Sequence, residues 1–92
     1  MRTLAFDLGG TYLRCAIVED GVLVNTVEKS RIASFMLGLS EEIIWRKIIR
    51  TITDYSRSYD KQLQQESPVV ISFPGPIDSE GHILGAPTLI GP

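Results

Sequence analysis

The sequence has one cysteine and one histidine in 92 residues. A lone thiol, Cys15, excludes an internal disulfide and a multi-cysteine zinc centre. It sits inside an apolar strand pattern, so a buried packing thiol is expected there. Long apolar runs are missing as well, and nothing approaches the ~20 residues of a membrane-spanning helix. The opening MRTLAFDLGG has neither the apolar length nor the cleavage region of a signal peptide. The cytoplasm is the expected compartment, and no membrane partner is expected. Nine Lys and Arg are scattered among eleven Asp and Glu, giving a net charge of −2. No basic strip is offered to nucleic acid. The apolar fraction of 43% and charged fraction of 22% are those of an ordinary globular chain. Its length suits a single small domain, residues 1–92.

Leu4, Phe6 and Leu8 alternate with Thr3, Ala5 and Asp7, which predicts a first strand over 3–8. LRCAIVE, 13–19, reads as a second strand. Asp20-Gly21 is a turn signal because glycine accepts the positive φ of a primed hairpin turn. VLVNTVEK, from Val22, then returns as a third strand to complete a meander. Residues 30–39 read as a loop with a short helical turn. Ser40, followed by Glu41 and Glu42, marks a helix start: a hydroxyl cap, then carboxylates near the positive end of the dipole. Ile44, Ile48, Ile52, Tyr55 and Tyr59 supply one apolar face, widened by Trp45 and Ile49. SYDKQLQQES is expected to carry the helix to its end. PVVISF, from Pro68, reads as a strand buried on both faces. The remaining stretch holds four of the five prolines and four of the eight glycines, so the backbone must turn repeatedly. The order β-β-β-α-β, with the last strand parallel to the first, is the opening of a ribonuclease-H-like α/β fold.

One stretch asks for more than folding. In FDLGGTYLR, Asp7 stands at the end of a strand, ahead of Gly9, Gly10 and Thr11. Glycines leave backbone N–H groups open to an anion, and Thr11 adds a hydroxyl. An aspartate beside a phosphate suits a nucleotide-borne magnesium ion, held through water. Arg14 would add positive charge if its side chain reached back to the turn. The same letters also serve as a plain hairpin turn with a capping aspartate.

LAFDLGGTYLRCAIVEDG resembles the first phosphate motif of sugar kinases in the actin, hexokinase and Hsp70 superfamily. ISFPGPIDSEGHILGAPTLIG is similar to the P-G-P-V-D…G…A-P-N-L segment of the ROK group, which contains bacterial glucokinases, fructokinases, N-acyl-hexosamine kinases and related repressors. The resemblance implies the N-terminal lobe of an actin-like sugar kinase, using ATP and Mg2+ to phosphorylate a hexose, and a homodimer is expected from the sheet edge that such an incomplete lobe leaves exposed. It implies Asp7 at the metal and Gly9, Gly10, Thr11 and Arg14 at the nucleotide phosphates. Gly75, in the Pro74–Pro76 turn, and Thr88 would lie near the sugar, although Gly75 also fits a rigid turn without ligand contact. Two positions depart from the family pattern. Tyr12 stands where lysine or asparagine is frequent, and Thr88 stands where asparagine is usual. Threonine keeps a hydroxyl but loses the paired donor and acceptor of an amide.

The family's general base, the aspartate of an Asn-Asp pair, has no counterpart in these 92 residues, nor do its cysteine-rich zinc segment and adenosine motif. Asp54, Asp60 and Asp78 do not stand in its setting, and His82 is expected to have no catalytic role. The expectation is a lobe inactive by itself and incomplete at its C-terminal end, with a bare sheet edge that favours pairing between copies. The alternative is a non-catalytic binding or interaction module derived from such a protein. A repressor is disfavoured, because its helix-turn-helix would precede the first strand.

Overall fold

A computed structural model describes residues 1–32 and 34–91; Ala33, within the expected loop, and Pro92 lie outside it. The chain is a mixed α/β fold. A five-stranded sheet is built from β1 (Arg2–Leu8), β2 (Tyr12–Glu19), β3 (Val22–Leu23), β4 (Glu28–Arg31) and β5 (Val69–Ser72), with helices α1 (Glu41–Ser58) and α2 (Pro87–Ile90). The strand order is β3-β2-β1-β5, and β4 pairs with β2 on the same side as β3. β1 and β2 run antiparallel from Arg2↔Glu19 to Leu8↔Leu13, whereas β5 runs parallel to β1 from Leu4↔Val69 to Asp7↔Ser72. Among the described residues, no helix is long and apolar enough to cross a membrane.

The expected Asp-Gly turn is present: Asp20 has φ 53° and Gly21 φ 79°, the left-handed pair that matches the twist of a tight hairpin. The strand after it is not the continuous one expected from Val22. Val18↔Leu23 in β3 is followed by Cys15↔Glu28 in β4, so five steps on the returning strand span three on β2. Two residues are extruded, and the Asn25 side chain repairs the ladder. Its Oδ1 accepts from the Ile17 N–H at 2.8 Å, while the Val24 N–H donates to the Ile17 carbonyl at 2.9 Å. An even number of extra residues shifts register without exchanging the two faces.

The N-cap of α1 follows the sequence. Ser40 is extended (φ −70°, ψ 156°), and its hydroxyl accepts from the Ile43 N–H at 3.4 Å. The helix ends at Ser58, earlier than expected, and Asp60–Gln62 forms a 3-10 turn instead. Its inner face lies on one side of the sheet. Leu4, Phe6, Leu8, Leu13, Cys15 and Ile17 pack with Ile44, Ile48, Tyr59, Ala86 and Leu89 in one core. Each fully buried aliphatic side chain contributes about 1.5–3 kcal/mol relative to exposure. Tyr55 and Tyr59, one turn apart, fasten the helix to β4. The Tyr55 hydroxyl is 2.6 Å from Ser30 Oγ, and the Tyr59 hydroxyl donates to Glu28 Oε2 at 2.7 Å. Trp45 stacks on Phe73 with ring centroids 6.0 Å apart, but Ile49 is 63% exposed and does not widen the apolar face.

The reading of β5 as buried on both faces is overturned. Val69, Val70 and Ile71 are 52, 55 and 44% exposed. The strand forms a sheet edge, with β1 on one side and, among the described residues, no strand on the other. Apolar, β-branched composition identified a strand but carried no information about whether neighbours cover it.

Candidate functional site

Antiparallel pairing closes β1 and β2 at Gly9–Tyr12, where the Gly9 N–H donates to the Tyr12 carbonyl at 3.0 Å. Gly9 is therefore engaged in the turn and does not present its amide. Among the described residues, the amides of Gly10 and Thr11 meet no hydrogen-bond acceptor. Neither Gly9 nor Gly10 has positive φ, so the pair is not required by left-handed backbone. Gly10 is favoured by space: a Cβ there would stand 3.1 Å from the Cβ of Thr88. The turn expected to hold phosphate and the APTLIG segment expected near sugar are thus in contact, although they lie far apart in sequence.

Other expected residues stand nearby without converging on one hollow. Asp7 is exposed near the end of β1, opposite Arg14 on β2 and Ser72 on β5, so the three share a sheet face. Asp7 and Arg14 line an open groove of about 220 Å³ on the face away from α1, with Ala5, Ala16, Val18 and Leu23. The Arg14 guanidinium carbon lies 5.9 Å from the Tyr12 ring centroid, and Lys29 Nζ lies 4.7 Å from it. Tyr12 is thus a platform for two cations. Gly10 and Thr11 line a separate cleft of about 170 Å³ with Arg31, Ile32, Ser34 and Leu37.

Arg31 was not singled out in the sequence. It stands opposite Tyr12, a register that depends on the extruded residues at Asn25 and Thr26 and so has no local sequence signal. The cleft has room for phosphate oxygens. Ligand pockets for larger molecules run to ~300–1,000 Å³, so it has no room for an adenosine.

Gly75 is also a packing glycine, since a Cβ on it would collide with the Gly85 carbonyl oxygen. Its bare side faces the chain itself. Asp78, Glu80 and His82 form a cluster whose ligand-type atoms lie within 4.8 Å of one another. The hairpin that pairs Ile77 with Ile83 accounts for it. Asp78 Oδ1 accepts the amides of Glu80 and His82 at 2.9 and 2.8 Å, and Oδ2 is 3.0 Å from His82 Nδ1. The His82 amide, followed by the His82 ring and the Glu80 amide, holds the Asp78 carboxyl below its ordinary value against the opposing effect of desolvation.

A scan against protein-family models finds no match, and a search of curated proteins finds none.

Proposed function

We propose that this chain is the N-terminal lobe of an ATP-dependent hexose kinase of the ROK group. In this reading the sheet is the opening of a ribonuclease-H-like fold. The order β3-β2-β1, with β5 parallel to β1 after a helical crossover, supports that assignment. The observation that carries the reading is the contact of Gly10 with Thr88, which joins the two motifs on which the resemblance rests.

The residues fit two parts of a magnesium–nucleotide site separately, since Gly10 and Thr11 line one hollow and Asp7 another. The amides of Gly10 and Thr11 would hold phosphate oxygens, and Asp7, exposed at the C-terminal end of a strand in a parallel pair, would hold the ion through water. When bound, the nucleotide supplies a transferable phosphoryl group. The chain's own part is to orient it, which is most of what phosphoryl transfer asks of a protein. Arg14 shares the face of Asp7 and adds positive charge there, while the resemblance would put the sugar near the Pro74–Pro76 turn and Thr88, with Gly75 serving the packing of that turn and not an open approach to the ligand.

The test is an amide NMR titration of the chain with Mg·ATP, followed by an assay for hexose-dependent ADP release. Weak binding that moves the Gly10 and Thr11 signals, needs magnesium and is lost in Asp7→Ala is expected, with no ADP release from this lobe alone. Signals at Gly10 and Thr11 that stay still throughout would sink the reading.

A second reading, a non-catalytic module, is supported by the open apolar edge at β5. Its partner would be a second copy of the chain, paired through that edge.

A further inference from the structure

Beyond the Gly10–Thr11 cleft, the end of β4 and the middle of α1 enclose a hollow of about 250 Å³, lined by Arg31, Ile32, Lys47, Ile48, Arg50 and Thr51. Three cationic residues from two separate elements line it. Lys47 and Arg50 are helical neighbours one turn apart, but Arg31 arrives from the sheet, so helix periodicity alone does not explain the grouping.

Of the carboxylates on these elements, Asp54, one turn beyond Arg50, forms no ion pair within 4 Å among the described residues, Glu41 accepts from Trp45, and the other two are engaged elsewhere. Glu42 pairs with Arg46 at 2.7 Å, and Glu28 accepts from Tyr59. Among the described residues, no carboxylate oxygen lies within 4 Å of the charged groups of Arg31, Lys47 or Arg50. Beneath the cations the floor is apolar, with Ile48 and Ile32 only 3 and 6% exposed. A low-dielectric floor strengthens the field of like charges gathered above it. Three unneutralised cations in a chain of net charge −2 make a local potential that opposes the overall charge.

We infer that this hollow binds a small phosphate-bearing anion through Arg31, Lys47 and Arg50. Guanidinium forks match phosphate oxygens in pairs, and the lysine adds a point charge. The Thr51 hydroxyl already donates to the Lys47 carbonyl at 2.9 Å, so the cations carry the recognition. The hollow lies just below the ~300 Å³ at which pockets for larger ligands begin, which suits a free phosphate or the phosphate group of a small ester. The site does not rest on the kinase reading, since Lys47 and Arg50 play no part in it.

The test is an amide NMR titration of the chain with inorganic phosphate and, in parallel, glycerol 3-phosphate, with chloride holding ionic strength constant. Saturable shifts are expected at Arg31, Ile32 and Lys47–Thr51. Tighter binding of one anion would identify free phosphate or an ester as the ligand class, and either supports the site. The exposed pair Lys47→Gln and Arg50→Gln together should weaken binding at least tenfold, and Arg31→Gln, on the other element, at least threefold. Arg46→Gln, which removes one charge from the same helix, should leave affinity within twofold. Shifts that never saturate, shifts confined to Gly10 and Thr11, or equal weakening by Arg46→Gln would overturn the site. Because Asp7→Ala leaves this hollow intact, loss of Mg·ATP binding in that variant while phosphate still moves α1 separates the two sites.

Discussion

Gly10 and Thr88 touch across the molecule: the position a Gly10 side chain would fill is 3.1 Å from the Thr88 Cβ and 3.6 Å from its carbonyl oxygen. The hairpin between β1 and β2 is thereby held against α2, whose Leu89, with Ala86 just ahead of the helix, belongs to the same core as Leu8 and Leu13. Space, and not left-handed backbone, selects glycine at this point of the turn.

Gly10→Ala should therefore cost about 1 kcal/mol, within the range for mild overpacking, because Thr88 has to move by a few tenths of an ångström. Denaturant unfolding of the single variants and of Gly10→Ala with Thr88→Gly measures the coupling. The double variant should lose less than the sum of its parts. Strict additivity would show that the two segments do not press on each other.

Gly75 gives a sharper case. Here the obstructing atom is the backbone carbonyl oxygen of Gly85, which cannot swing aside as a side-chain tip can. Gly75→Ala should lower stability by about 2–3 kcal/mol, the upper part of the overpacking range. The loss should appear as a lower melting temperature and as displaced amide signals over 74–86. An unchanged melting temperature would mean that the Pro74–Pro76 turn is free to re-form.

What the sequence made legible was local. Ser40 with its two glutamates located the start of α1, and the spacing of Ile44, Ile48, Ile52, Tyr55 and Tyr59 gave its inner face, since both signals come from within one helix. Asp20-Gly21 located a turn for the same reason. The exposure of β5 was not legible in Val69, Val70 or Ile71 themselves, which read as buried on both faces; a bare sheet edge was expected only from the resemblance to a larger lobe. Arg31 was missed because its place follows from a bulge whose signal is one asparagine side chain replacing a backbone carbonyl. Asp7 and Gly10 read as one motif in sequence, yet they line different hollows, because β1 ends between them and its last residues alternate faces.

Asn25 carries the bulge, so its amide oxygen should matter more than its size. Asn25→Ala leaves the Ile17 N–H without its acceptor on a strand whose other face is core, at a cost of about 1–3 kcal/mol. Asn25→Asp keeps an acceptor and should recover most of that loss. Hydrogen exchange at the Ile17 amide reads the effect directly. Unchanged protection in Asn25→Ala would remove this bond from the account.

Cys15 should make the fold less stable at high pH. Burial, reinforced by the nearby Glu28 carboxylate, pushes its thiol from 9.0 up to about 11. A thiol raised in this way stays protonated in the folded chain after it has ionised in the unfolded one. Its contribution is complete below pH 9.0 and is lost as pH rises towards about 11. Tyr59 is raised from 10.0 as well, chiefly by burial and then by its bond to Glu28, and adds to the decline from pH 10.0 upward. Denaturation midpoints measured from pH 8 to 11 should fall steadily, and Cys15→Ala should flatten the slope even if it lowers the starting value. An equal slope in both proteins would exclude the thiol as the titrating group. Native Cys15, only 1% exposed, should also react with thiol reagents far more slowly than the unfolded chain.

The free edge of β5 makes the last prediction. Val69, Val70 and Ile71 present apolar side chains next to backbone groups that no outer strand among the described residues pairs with, the arrangement that draws another strand alongside. Val70 lies opposite Ala5 on the face away from α1, so replacing it disturbs little of the core. Val70→Lys should leave the melting temperature within a few degrees while lowering concentration-dependent association, measured by sedimentation over a tenfold range of protein. Lysine discourages edge pairing because its charge must stay in water when a second strand approaches. If the variant and the parent associate equally, pairing between copies does not run through β5, and the second functional reading loses the surface on which it rests.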